Sequence, residues 1–219
     1  MALSTLKTSD HLTRQAESEI YLRLKRLTDM LAAGAGMLLL LPLLGLVALA
    51  IKLDSRGPVL FSQTRVGFNG RHFRCWKLRS MHVDAEQRLA ELQSQNEMAG
   101  GVLFKMKRDP RITRVGRFIR KASIDELPQL WNVLIGDMSL VGPRPPIPSE
   151  VARYTSRQRL RLSVTPGITC FWQVSGRSDI PFEEQVELDI AYAEQRSLVT
   201  DFSILLRTVP AVLFARGAY

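Results

Sequence analysis

Between Met30 and Ile51 the chain reads MLAAGAGMLLLLPLLGLVALAI without one charged residue, and no other feature limits its folding so tightly. At a rise of about 1.5 Å per residue such a helix reaches roughly 33 Å, against a bilayer hydrocarbon core of about 30 Å. Length alone therefore permits a full span. Two details oppose it. Pro42 stands near the middle, where a missing N–H and a clash with the preceding turn kink or break a helix. Arg23, Lys25 and Arg26 flank the run on one side and Lys52, Arg56 and Arg65 on the other, so the positive-inside rule draws both ends toward the cytoplasm. A helix broken at Pro42 that returns to the face it came from satisfies both pulls; a kinked span is the alternative. Ala48-Leu49-Ala50 resembles a signal-peptide cleavage site, but the apolar run is too long and begins too late for a secretory leader.

Beyond Lys52 the sequence is that of an ordinary folded domain, without repeats or low-complexity tracts. A hydrophobic content of 46% excludes a disordered chain. Thirty Lys and Arg against 21 Asp and Glu give a net charge of +9, which selects anionic partners: nucleic acid, an acidic leaflet or phosphorylated small molecules. Cys75 and Cys170 stand far apart with no C-x-x-C, so neither a disulfide framework nor a thiolate zinc site is written, and a reducing compartment is expected. A site built from His72, Cys75 and His82 fails too, because His72 and Cys75 would point to opposite faces of a strand.

Val59 to Gln63 and His72 to Leu78 flank the Gly67-Phe68-Asn69-Gly70 turn and read as a hairpin. Ala85 to Met98 reads as a polar helix ended by Gly100-Gly101. From Phe104 to Lys121 there are eight basic residues and a single acid, Asp109, which predicts either a solvated face or an anion-binding rim. Few aromatics interleave these cations and no nucleic-acid-binding signature is present, so nucleic acid is not an expected partner. Ser123-Ile124-Asp125-Glu126 matches the S-x-x-E capping box, with Leu127, Leu130, Trp131 and Leu134 at helical spacing up to Gly136, so Asp125 and Glu126 are expected to open a helix. First-turn acids are common simply because they complement the helix dipole. Their company is less common: Arg117, Arg120 and Lys121 precede them and Pro143-Arg144-Pro145 follows the helix. An ionised carboxylate beside bound phosphate suits an aspartyl-phosphate intermediate or a magnesium bridge.

The ordered motifs Gln63-Thr64-Arg65-Val66-Gly67, Lys77-Leu78-Arg79-Ser80-Met81, Asp109-Pro110-Arg111-Ile112-Thr113, RKASIDELPQLWNVLIGDMSLVGPRP (Arg120 to Pro145) and PGITCFWQVSGR (Pro166 to Arg177), with Asp189, Tyr192 and Asp201, closely resemble the bacterial sugar transferases, the monotopic phosphoglycosyl transferases. The resemblance runs from about Leu24 to Tyr219. It implies an α+β monotopic membrane protein with an N-terminal re-entrant helix-break-helix and a small catalytic domain of helices and short strands. The expected division is an N-terminal tail (1–23), a membrane helix broken at Pro42 (24–56) and a catalytic domain ending in interfacial helices (57–219). Cys170 stands where the family usually has glycine. The several N-terminal spanning helices of larger members are absent, so the chain reads as a minimal member or a catalytic fragment.

The similarity implies transfer of a sugar phosphate from a UDP-sugar to undecaprenyl phosphate, with release of UMP, in the cytoplasmic leaflet of the bacterial inner membrane. Asp125 is then the nucleophile and a ligand of Mg2+, and Glu126 a candidate base. Lys77, Arg79, Arg120, Arg144 and Arg177 are candidate phosphate clamps, and Asp189 belongs to the substrate-binding set. The LFKMKRDPRITRVGR stretch and the RGAY ending resemble members that use UDP-glucose or UDP-galactose for exopolysaccharide, and acetamido sugars stay open. A homo-oligomer is also open. Leu198, Phe202, Leu205, Val209 and Val212, interrupted by Pro210, suit either a bilayer surface or core packing. The rival functions are a membrane-anchored adaptor without catalysis and a lipid phosphatase using the same aspartate.

Overall fold

The computed structural model describes the backbone of residues 2–92, 106, 109–176 and 179–214, with side chains from residue 19 except at 90, 213 and 214. The apolar run lies within one helix, α1 (Ala2–Asp54), of which Glu19–Asp54 is long and apolar enough to cross a membrane. There follow β1 (Leu60–Val66), β2 (His72–Leu78), α2 (Ala85–Leu92), α3 (Arg114–Lys121), α4 (Gln129–Ile135) and β3 (Ser139–Val141). The chain continues through α5 (Pro148–Val151), α6 (Ser156–Arg159), β4 (Gly167–Thr169), α7 (Phe171–Ser175), α8 (Phe182–Gln195) and α9 (Leu198–Phe214). This mixture of helices and short strands behind one long apolar helix fits a monotopic α+β membrane protein. The C-terminal part of the helix expected up to Met98, and its Gly100-Gly101 stop, lie outside the described residues.

The hairpin forms as expected, antiparallel, with Leu60 opposite Leu78 and Val66 opposite His72. Its reversal needs left-handed backbone at Asn69 (φ 51°) and Gly70 (φ 81°), which these two residue types tolerate best. A second ladder, parallel, sets Ser139 opposite Gly167 and Val141 opposite Thr169. Gly116 lets α3 lie directly on the chain beyond β2, since a Cβ there would stand 1.9 Å from the Ser80 carbonyl oxygen. Gly116→Ala should therefore destabilise the protein by about 1–3 kcal/mol through overpacking, read as a lowered melting temperature in detergent.

Helix α1 does not break at Pro42; it remains helical throughout, correcting the helix-break-helix expectation. The reason is tertiary. N-terminal to Pro42, Ala33, Met37 and Leu40 pack into a cluster with Leu130, Val133 and Met138. C-terminal to it, Leu44, Val47 and Ile51 pack with Leu78 and Ile119. Polar ties fix both ends. Lys25 Nζ donates to Asp201 Oδ2 at 2.8 Å, and Asp29 accepts from Ser139 Oγ at 2.7 Å. At the far end Asp54 Oδ2 accepts from the Val115 N–H at 3.0 Å, capping α3. Against this, proline removes one helical hydrogen bond and adds local strain, a cost of about 3 kcal/mol. The opposite face of α1 leaves Leu31, Leu38, Leu39, Leu46, Leu49 and Leu53 exposed. Helix α9 divides likewise: Ile204 is buried and Leu205 packs beside it, while Phe202, Leu206 and Val209 are exposed.

Candidate active site

The two adjacent acids sit on a turn tighter than the capping box predicts. Ser123 takes a left-handed conformation (φ 55°, ψ 18°), makes no side-chain cap bond, and is followed by a 3-10 turn over Ile124–Glu126; α4 begins only at Gln129. Pro128 explains the interruption, because it has no N–H with which to continue the α ladder back to Ile124. The N–H groups of Glu126, Leu127, Leu130 and Trp131 instead reach carbonyls three residues back. A serine held left-handed costs of order 1 kcal/mol, placing mild backbone strain beside Asp125.

Period-two alternation along β2 puts Phe73, Cys75 and Lys77 on one face. Phe73 and Cys75 enter the core beside α4, and Lys77 Nζ reaches Glu126 Oε1 at 2.6 Å. Arg144, in the loop after β3, approaches the same oxygen at 3.9 Å. Arg65 supports that loop by donating to the Pro145 carbonyl at 2.8 Å. Asn132, fully buried on α4, supplies the strand's free edge: its Oδ1 accepts from the Trp76 N–H at 3.1 Å and its Nδ2 donates to the Arg74 carbonyl at 2.7 Å. The carboxamide thus stands where a third strand would, and fixes the segment that carries Lys77.

This arrangement splits the two acids. Burial pushes the Asp125 carboxyl up to about 6, and the nearby cations only partly oppose it. Burial also acts against the Glu126 carboxylate, but Lys77 and Arg144 prevail and hold it well below the usual range. One carboxyl of near-neutral affinity for a proton therefore sits beside one that stays charged, the pattern that separates roles in carboxylate sites.

A cavity of about 590 Å³ opens over the pair, and Lys77, Arg79, Arg120 and Arg144 line it. Of the expected clamps, Arg79 differs in role: its guanidinium donates to the Ser55 and Arg56 carbonyls and closes the C-terminal end of α1. Asp189 differs too. It is fully buried and paired with Arg161, so it supports the wall and does not line the cavity. Arg177 lies outside the described residues. The basic run resolves in part: Arg111 is buried against Asp109, Arg120 lines the cavity, and Arg114, Arg117 and Lys121 are exposed. Sequence reasoning passed over Asn132 and Arg161. The first is a polar residue among the apolar positions of α4; the second sits in RQRLRL, which looks like a solvated run.

No group of three or more His, Cys, Asp or Glu placed to hold a metal occurs among the described residues. Asp125 could contribute one carboxylate ligand to a Mg2+ ion carried largely by substrate phosphates and water.

Comparison with known proteins gives a consistent family assignment. The sequence profile of the bacterial sugar transferases matches residues 20–215. The galactosyl transferase CpsE of Streptococcus agalactiae is 50% identical over 198 residues, covering 89% of this chain and 43% of that protein. The undecaprenyl-phosphate galactose phosphotransferase of Salmonella typhimurium is 43% identical, over 90% of this chain and 42% of its own length. The exopolysaccharide production protein ExoY of Rhizobium meliloti is 40% identical, over 89% of this chain and 88% of its own. The chain thus spans about two-fifths of the first two relatives and most of the third.

Proposed function

Because the chain belongs to the bacterial sugar transferase family, we propose that it transfers a hexose 1-phosphate from a UDP-sugar to undecaprenyl phosphate and releases UMP. The observation that carries this reading is the divided acid pair, Asp125 beside a Glu126 held by Lys77, facing a cation-lined cavity. An Asp125 oxygen attacks the β-phosphorus of the donor; the bond from that phosphorus to the oxygen bridging the two phosphates breaks, and UMP leaves. An oxygen of the lipid phosphate then attacks the same phosphorus, the phosphorus–Asp125 bond breaks, and the aspartate is regenerated. Splitting the transfer this way replaces one hard displacement with two easier ones. Lys77, Arg120 and Arg144 hold the phosphate oxygens. Glu126 is too weakly basic for the expected role of base, and serves to anchor Lys77. Asp125 would be the residue to hold Mg2+, which would supply charge neutralisation of the diphosphate.

The test is membranes containing the chain, incubated with a panel of UDP-sugars. With UDP-glucose or UDP-galactose and undecaprenyl phosphate, UMP should be released. Without acceptor, rapid-quench mass spectrometry should find the protein heavier by one sugar phosphate. Release of UMP with no adduct would overturn the covalent route, and no release with any UDP-sugar would favour an adaptor. Sugar phosphate passing to water in place of lipid would indicate a phosphatase.

The same reading places α1 in the cytoplasmic leaflet of the inner membrane with both ends on one side. Two observations support this: basic residues flank both ends of the apolar run, and Lys25 and Asp54 bind the same domain. Cysteines introduced at Ser4 and Ser62, in a background lacking Cys75 and Cys170, should both react only with reagent applied from the cytoplasm. Labelling of position 4 from outside would establish a span.

A further inference from the structure

We propose that the outer face of α3 is a capture track for the phosphate head of the acceptor lipid, leading it from the membrane surface to Asp125. The inference rests on the proposed function and adds a route for its second substrate. Arg114, Arg117, Phe118 and Lys121 recur at three- and four-residue spacing, so they form one stripe along the helix. All four are exposed, Phe118 to 66%. The opposite side is fixed, with Ile119 packed beside Val47 and Ile51 of α1. Helix α3 contains no acid, and among the described residues the side chains of Arg117 and Lys121 make no hydrogen bond or ion pair. Unpaired cations around an exposed aromatic side chain suit an anionic interface, with the ring among acyl carbons and the cations on phosphates.

Position identifies the occupant. Helix α3 packs on the half of α1 whose outer face exposes Leu46, Leu49 and Leu53, so the stripe belongs to the part of the domain held next to the apolar helix. On its flank Arg120 lines the cavity, and Asp125 follows within two turns of chain. A phosphate bound at Arg117 or Lys121 is thus one step from Arg120. Bulk anionic phospholipid carries the same phosphate, but only the acceptor requires a path that ends at the nucleophile.

The test uses the full chain in phosphatidylcholine vesicles doped with undecaprenyl phosphate, with UMP release measured while each substrate is varied. Each surface cation is worth about a factor of five in attraction. The double variant Arg117→Gln, Lys121→Gln should therefore raise KM for the lipid by about 25-fold and weaken its salt dependence. KM for the UDP-sugar and adduct formation without acceptor should stay at wild-type values, which also reports correct folding. Arg71→Glu, at the exposed hairpin turn, should change neither constant. An unchanged lipid KM, or equal rises in both constants, overturns the track. In vesicles containing phosphatidylglycerol, a variant that loses only adhesion while keeping its lipid KM assigns the stripe to bulk lipid and also overturns it. A wild type without turnover overturns the proposed function and the track together, whereas an active wild type beside an unaffected variant overturns the track alone.

Discussion

Asp125→Asn should lower UMP release by about 10⁴-fold or more, as loss of a nucleophile does in other covalent enzymes, while melting at a higher temperature than the wild type at pH 7.5. The two effects share a cause. Burial raises the Asp125 carboxyl to about 6, above its ordinary value of about 3.9, so the folded state binds this proton more tightly than the unfolded chain does. Ionising the group consequently opposes folding: the penalty is absent below about pH 4, grows as pH rises toward 6, and is complete above that. The Asn variant escapes it, gaining about 1–3 kcal/mol at neutral pH and nothing at pH 4. For the wild type, kcat/KM for the UDP-sugar should climb roughly tenfold per pH unit below 6 and then level off. Melting curves and rates from pH 4 to 8 check both statements. Equal stability of the two proteins at every pH would show that the carboxyl is not strained by burial.

Asp189→Ala should be the most damaging single change to stability. Arg161 is buried among Asp189, the Tyr154 hydroxyl at 3.1 Å, and the rings of Tyr154 and Phe182, whose centres lie 5.8 and 5.9 Å from the guanidinium carbon. Removing the carboxylate leaves a guanidinium deprived of both water and counter-charge, which costs about 3–5 kcal/mol. For a chain of this size that is roughly 6–20 °C in melting temperature. Replacing both partners, as Arg161→Met with Asp189→Leu, should recover most of the loss, because an apolar pair of similar volume leaves no charge unpaired. A double variant as unstable as Asp189→Ala would mean that the shape of the pair, and not its charge, holds α8 against the wall.

How much of this was legible in the sequence depends on how local the determining interactions are. The hairpin from Leu60 to Leu78 and the helix ending at Gly136 follow from neighbouring residues, and both form. The break expected at Pro42 does not, because clusters on either side of it belong to one domain and that packing outweighs a local rule. The capping box at Ser123 failed for the opposite reason: a second local signal, Pro128, competed with it. Motif resemblance drew attention to Asp125, Glu126, Lys77 and Arg144, which do converge. It could not reveal that Arg79 closes a helix or that Asn132 completes a strand edge, since those partners lie 24 and 58 residues away. The parallel ladder of β3 and β4, only three residues per strand, leaves no periodic trace at all.

The inner face of α1 carries a practical consequence. Ala33, Val47 and Ile51 are buried with the core residues of the globular part, so the segment that meets lipid is also a wall of the hydrophobic core. A version trimmed to start after the apolar run would not be a soluble enzyme relieved of its anchor; it would present two raw apolar grooves, over Leu130 and Val133 and over Leu78 and Ile119. Purification faces the same constraint. A detergent has to coat one side of this helix without prising off the other, which favours mild, bulky amphiphiles over small ones able to slip beneath it.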